Sequence, residues 1–223
     1  MHVPDGFLDS PTCAVTGAVA LFGVTHAVRL LDAESRDDER VPMAALVATF
    51  VFAAQMVNFP IGDGISGHLL GGAVAAVLVG PAAAVVCVSG VLVVQALFFA
   101  DGGVAALGAN VTLMALVGTL VGWFAFRAVL AVLPRTPAAV PLAAAAGGLV
   151  SVPVAAAAFS GVFALGGRAH VDFGDLFVSM VEWHSLIGVG EGIITGLVVA
   201  AVVSVRPDLV RGAARRRLEA VGA

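Results

Sequence analysis

The stretch HLLGGAVAAVLVGPAAAVVCVSGVLVVQALFFA, His68 to Ala100, decides how this chain is folded. It carries no Asp, Glu, Lys or Arg. It is too long for one ordinary membrane span of about 20 residues and short for two. Gly80-Pro81 divides it, because proline cannot continue a regular helix without losing a backbone hydrogen bond. Two helices, 68–80 and 82–99, are therefore expected, the first of them short. Outward from this pair the other apolar runs end at charged or Gly/Pro breaks, and helices are expected at 12–31, 42–59, 105–126, 138–164 and 184–205.

Charge placement supports the division. All basic residues are arginine. If the amino terminus lies outside and Gly80-Pro81 is a cytoplasmic turn, then Arg29, Arg36, Arg40, Arg127, Arg135, Arg206, Arg211, Arg215, Arg216 and Arg217 fall on the cytoplasmic side and only Arg168 outside. An undivided 68–100 span would put the Arg-rich tail outside, against the positive-inside rule. The expected fold is an all-α integral membrane bundle of about seven transmembrane helices. Its amino terminus is outside and its carboxyl terminus cytoplasmic, with a single bundle at 1–205 and an Arg-rich tail at 206–223. The short third helix implies a start below the membrane surface, shielded by protein.

Composition agrees. The chain is 60% hydrophobic and 12% charged, with mean hydropathy +1.06, against about 25% charged residues in soluble domains. A net charge of −4 gives no sign of nucleic-acid binding. Cys13 and Cys87 lie in apolar runs outside any CxxC pair and read as small buried hydrophobes. The opening Met1-His2-Val3-Pro4-Asp5-Gly6 has no basic segment of a signal peptide. A bulky second residue, His2, disfavours removal of Met1.

Three segments carry candidate chemistry. In the first, a free α-amine, the amide nitrogen of residue 2 and the Nδ1 of a histidine at position 2 can close a five- and a six-membered chelate ring on one ion. A fourth nitrogen completes the square-planar N4 set that suits Ni(II) or Cu(II). In the second, Asn58 to His68 links helices 2 and 3 on the side where Met1 lies, and His68 opens the short helix. An ionisable residue at membrane depth is a functional candidate; the plainer reading is a helix cap. Asn58 is a polar candidate beside the ion path, and Asp63 and Ser66 are either groups that orient the imidazole or turn formers. In the third, Glu182 to Gly192 begins the last helix, and His184 or Glu191 either touches the ion path or ties that helix to its neighbours. His26 reads as interfacial. His170, Asp172 and Asp175 read as a solvated outer loop, Asp101-Gly102-Gly103 as a turn, and Gln95 and Asn110 as interhelical amides.

Met1-His2-x-Pro4-Asp5-Gly6-Phe7-Leu8, Ser66-Gly67-His68-Leu69-Leu70-Gly71-Gly72, Phe99-x-Asp101-Gly102-Gly103 with Gly108-Ala109-Asn110, and His184-x-Leu186-Ile187-Gly188-x-Gly190-Glu191-Gly192 together resemble the CbiM/NikM family. These are substrate-binding membrane subunits of energy-coupling-factor transporters for cobalt or nickel. The resemblance covers nearly the whole chain. It implies a seven-helix subunit whose amino terminus inserts into the bundle. The implied ligands are the Met1 amine, the His2 amide nitrogen and the imidazoles of His2 and His68, and the implied cargo is Co2+ or Ni2+, with cobalt slightly favoured. It also implies a membrane coupling subunit, cytoplasmic ATPase subunits and a small accessory membrane subunit as partners. The chain has no P-loop, so ATP hydrolysis is expected in those partners.

Two readings from other classes compete. Gly64-Ile65-Ser66-Gly67 matches the GxSG pattern of intramembrane serine proteases, with His184 as base. A simple ion channel or carrier would instead need charged residues at mid-helix in several spans, and only Glu191 qualifies.

Overall fold

The computed structural model describes residues 1–33, 40–62, 65–211 and 213. Among these residues the chain forms α1 (Ser10–Ala33), α2 (Arg40–Gln55), α3 (Gly72–Val79), α4 (Pro81–Phe98), α5 (Leu107–Val132), α6 (Ala139–Gly166) and α7 (Phe173–Val205). Within α5 the stretch Val111–Gly118 winds as a wider π-helix. Five helices, α1 and α4 to α7, are long and apolar enough to cross a membrane, and α2 is a shorter apolar helix.

The break at Gly80-Pro81 is where the sequence places it. Gly80 has φ +90°, a conformation that L side chains rarely adopt, and Pro81 takes the first turn of α4, where its missing N–H costs nothing. The Gly80 amide still donates to Ala76 O at 3.0 Å, closing α3. Every residue of α3 is buried. At a rise of 1.5 Å per residue its eight residues cover about 12 Å, far short of a bilayer core of about 30 Å. It is a central peg, packed against α2, α4, α5, α6 and α7.

Several expected boundaries are corrected. The all-α expectation omits a hairpin between α2 and α3, in which β1 (Phe59–Gly62) pairs antiparallel with β2 (Ile65–Gly67), Phe59 opposite Gly67 and Pro60 opposite Ser66. Irregular backbone buried in a membrane bundle must pair its own polar groups, and this pairing does so for a stretch too rich in Gly and Pro for helix. Helix 2 accordingly ends at Gln55, not at 59. His68 does not open α3; it lies in a segment without regular secondary structure between β2 and Gly72. Helix α5 runs on past 126 through Arg127, which lies over the Trp123 ring at 5.7 Å.

The last helix begins at Phe173, not at 184. Asp172 caps it, its carboxylate accepting from the amides of Gly174 (2.8 Å) and Asp175 (3.2 Å). Asp175 sits in its first turn, so neither Asp is a free loop residue. Asp175 and Glu182 break the apolar run and hide this amino-terminal part from a hydropathy reading.

The longest packed seam joins α6 and α7, where small residues bring backbones together. A Cβ on Gly188 would stand 2.7 Å from Leu149 O, and one on Gly192 2.9 Å from Ala145 O. Past α7 the chain folds back. The Arg211 amide donates to Val77 O at 3.1 Å, its guanidinium to Val79 O at 3.4 Å, and Val210 is buried. The expected tail therefore continues the bundle's packing to residue 211. Its remaining arginines, and Arg36 between α1 and α2, lie outside the described residues.

Candidate metal centre

Residues 1–9 precede the first span and thread into the bundle. Their backbone is held at both ends. Leu8 bridges Gly167 in antiparallel fashion, with Arg168 N donating to Phe7 O at 2.9 Å and Asp9 N to Gly166 O at 2.8 Å. Phe7 packs against Phe163 and Phe159 at ring-centroid distances of 5.1 and 5.7 Å. Further in, Asn110 clamps Val3: its Oδ1 accepts from Val3 N at 2.7 Å and its Nδ2 donates to Val3 O at 3.2 Å. Gly103 N donates to the same carbonyl at 2.8 Å, and Ala105 N to Asp5 Oδ1 at 2.8 Å. The turn that supplies these donors is tightly wound, with Ala100 at φ +53° and Gly102 at φ +90°. A Cβ on Gly102 would stand 3.1 Å from His2 Cδ2, and one on Gly103 would collide with the Asp5 backbone. Glycine is required here by close approach.

This clamp delivers Met1 and His2 to the interior. Met1 is fully buried and its amine donates to the Ser66 carbonyl on β2. The rings of His2 and His68 lie 4.5 Å apart, centroid to centroid, tilted by 32°. Both histidines are buried, His68 completely. The His68 Nδ1–H donates to Leu69 O at 2.8 Å, so the lone pair is on Nε2, which has no hydrogen-bond partner among the described residues. His2 Nε2 donates to Gln95 Oε1 at 3.2 Å, which leaves the lone pair on Nδ1. That Nδ1 lies 3.2 Å from Asp101 Oδ1 without hydrogen-bond alignment. A lone pair facing a carboxylate is an arrangement that a cation relieves. Buried polar atoms are normally paired, so two orphaned imidazole nitrogens beside a buried amine call for a ligand.

Electrostatics agree with nitrogen donation. Burial pushes the Met1 amine down from 8.0 to about 4, against a smaller upward pull from Asp101. Burial, followed by the neighbouring amine, lowers His2 from 6.5 to about 4. Both are neutral at pH 7 and hold lone pairs. No three His, Cys, Asp or Glu side chains group into a metal cage among the described residues, so an ion bound here draws on terminal and main-chain nitrogen.

The structure thus brings together Met1, His2 and His68. Asn58 is one step removed, its Nδ2 donating to Asp101 Oδ2 at 3.2 Å. Ser66 contributes its carbonyl. Asp63 lies outside the described residues. Glu191 does not face the imidazoles: its oxygens accept from Leu70 N and Gly71 N, each at 2.7 Å, and Gln55 Nε2 donates to Leu70 O at 2.7 Å. These bonds tie α7 and α2 to the segment that carries His68. His184 lies mid-helix, and its Nε2 has no partner, so Ser66 does not donate to it and the Ser–His pair of a protease is not formed. His26 stacks on Phe22 at 6.3 Å on the outside of α1, and His170 is exposed. The anchors Gln95, Asp101 and Asn110 read from the sequence only as bridging amides and a turn. Asp101 and Asn110, though not Gln95, fall within the segments that resemble the transporter family, and that likeness is the one signal that could have joined them to the site.

The family described as cobalt uptake substrate-specific transmembrane region, CbiM, matches residues 2–209. A putative metal transport protein of Haloquadratum walsbyi is 38% identical, over 94% of this chain and 93% of its own. A putative fused nickel transport protein, NikMN, of Archaeoglobus fulgidus is 37% identical over 94% of this chain and 68% of its own. The crystal structure of a truncated transition metal transporter superposes with a TM-score of 0.85 at 33% identity, covering 92% of this chain and 99% of that one.

Proposed function

The chain belongs to the CbiM family, a family of multi-pass membrane transport proteins, and from that premise we propose that it is the substrate-binding component of an ATP-driven energy-coupling-factor importer. Its cargo is a divalent transition metal, cobalt or nickel, with cobalt slightly favoured by the family it belongs to. Four nitrogens take the ion: the Met1 amine, the deprotonated His2 amide, His2 Nδ1 and His68 Nε2. The reading is carried by the meeting of a buried terminal amine with two imidazoles whose free nitrogens have no other partner. The two named relatives are described as putative transport proteins, one for metal and one for nickel, which agrees with a transport subunit rather than an enzyme. Energy comes from a membrane coupling subunit and cytoplasmic ATPases, with a small accessory membrane subunit, because a chain without lysine has no P-loop lysine of its own.

The steps follow from the donors. A hydrated ion arrives from outside and loses its waters to the buried nitrogens. The His2 amide gives up its proton as it binds. Release requires the partner module either to reorient the subunit or to part the N-terminal segment from His68. The test is a metal titration of two purified forms, the native chain and one carrying a residue before Met1. The extension converts the amine to an amide and is expected to abolish tight binding. Equal affinity in the two forms would defeat the reading.

A further inference from the structure

Glu191 is the only buried carboxylate among the described residues, and the ligation above gives it no task. A carboxylate inside a membrane helix is costly and needs a reason. Its two oxygens accept from the Leu70 and Gly71 amides, each at 2.7 Å. Adjacent N–H groups converge on one anion where the backbone enters the left-handed region, and Gly71 does so at φ +74°. On the other side Gln55 Nε2 of α2 donates to Leu70 O at 2.7 Å. The decisive contact is one peptide group. The Leu70 N–H that Glu191 binds and the Leu69 carbonyl that accepts the His68 Nδ1–H at 2.8 Å belong to the same planar unit. Whatever holds that plane holds the bond that sets the His68 ring and leaves Nε2 free. Glu191 is itself firmly placed, since a Cβ on Gly148 of α6 would stand 2.9 Å from Glu191 O.

We propose that Glu191 is the positioning residue for His68: acting through the Leu69–Leu70 peptide, it fixes the imidazole that supplies the fourth nitrogen and makes that donor follow α7. This rests on the ligation proposed above and deepens it. The other donors, on Met1 and His2, are held by a different clamp, Asn110 on α5. A displacement of α7 therefore tilts one peptide and withdraws His68 from the ion while residues 1–9 stay docked. The bound ion, in return, strengthens the grip of Glu191 on the two amides, because coupling between two contacts is reciprocal.

A double-mutant cycle tests this in the full chain, with affinity for Co2+ alone measured in native, Glu191→Gln, His68→Ala and the double variant. Glu191→Gln replaces one accepting oxygen with an N–H that faces an N–H. It is expected to weaken binding about tenfold when His68 is present and to have no effect once His68 is alanine. An equal loss in both backgrounds, or none in either, overturns the proposal, because Glu191 would then act on the bundle at large or not on the site at all. Should the variant fail to fold, the native chain decides. Saturating Co2+ is expected to slow amide exchange at Leu70 and Gly71 about tenfold, and exchange unchanged by the ion overturns the proposal. A chain with a residue added before Met1 that binds as tightly as native defeats the amine ligand but leaves a Glu191 effect confined to the His68 background intact, so the two failures are distinguishable.

Discussion

At the scale of single residues, the site depends on one amide. Asn110 satisfies both polar groups of Val3, and no other described residue takes the Val3 N–H. Asn110→Leu keeps the heavy-atom count and branching of the side chain and leaves that buried donor unpaired, at a cost of about 1–3 kcal/mol. The cost falls on docking of residues 1–9, so amide exchange at positions 2–8 is expected to accelerate about tenfold or more, with weaker metal binding. Unchanged exchange would show that the clamp does not hold the segment. A second residue-level expectation concerns pH in the metal-free chain. The Met1 amine sits at about 4 when docked and near its ordinary 8.0 when released. Between those values the released segment carries a proton that the docked one lacks, so docking strengthens as pH rises. His2 acts in the same direction from about 4 to 6.5. The measurement is exchange protection of residues 2–8 at pH 5.5 and pH 8; greater protection at the lower value would contradict it.

At the scale of elements, α3 is held by contacts that leave no room for side chains. A Cβ on Gly72 would stand 2.7 Å from Thr119 Oγ1 and 3.0 Å from Thr119 N on α5, whereas one on Gly190 meets nothing within 4 Å. Gly72→Ala is therefore expected to lower the thermal midpoint in detergent by several degrees and to weaken metal binding, as α3 and the preceding His68 segment shift together. Gly190→Ala is expected to match native or rise slightly, from better helix propensity; equal losses in the two would refute close packing as the cause. The division into α3 and α4 was legible because Gly-Pro is a strong local signal. The hairpin and the start of α7 were not. Pro60 and the glycines around it read as loop, and the cap at Asp172 is followed by acidic residues that depress hydropathy just where the helix begins. The convergence of Met1, His2 and His68 was readable from chelate chemistry together with the family likeness. The Asn110 clamp was not, because a lone asparagine in an apolar helix gives no sign of the backbone it binds.

At the scale of the whole molecule, contacts sort the connections into two ends. Residues 1–9, the hairpin, the 99–106 turn and the 167–172 connection meet around the histidines. At the other end, Gly80-Pro81 lies against Arg211. The chain alternates between these ends at each helix, α3 included, so a helix too short to span still counts as one pass in the connectivity. Arg135, Arg206 and Arg211 lie on connections at the second end, and Arg168 on the first. In the orientation proposed from the positive-inside rule, the histidine end faces outward and the Arg211 end faces the cytoplasm. Orientation and capture thus stand or fall together. In a chain with Cys13 and Cys87 replaced by alanine, His170→Cys is expected to react with a membrane-impermeant maleimide in intact cells. Thr136→Cys, which leaves Arg135 in place, is expected to react only after permeabilisation. The reverse pattern would place the nitrogen donors on the cytoplasmic face, and a subunit so oriented would have to receive its ion from within the cell, which an importer cannot do.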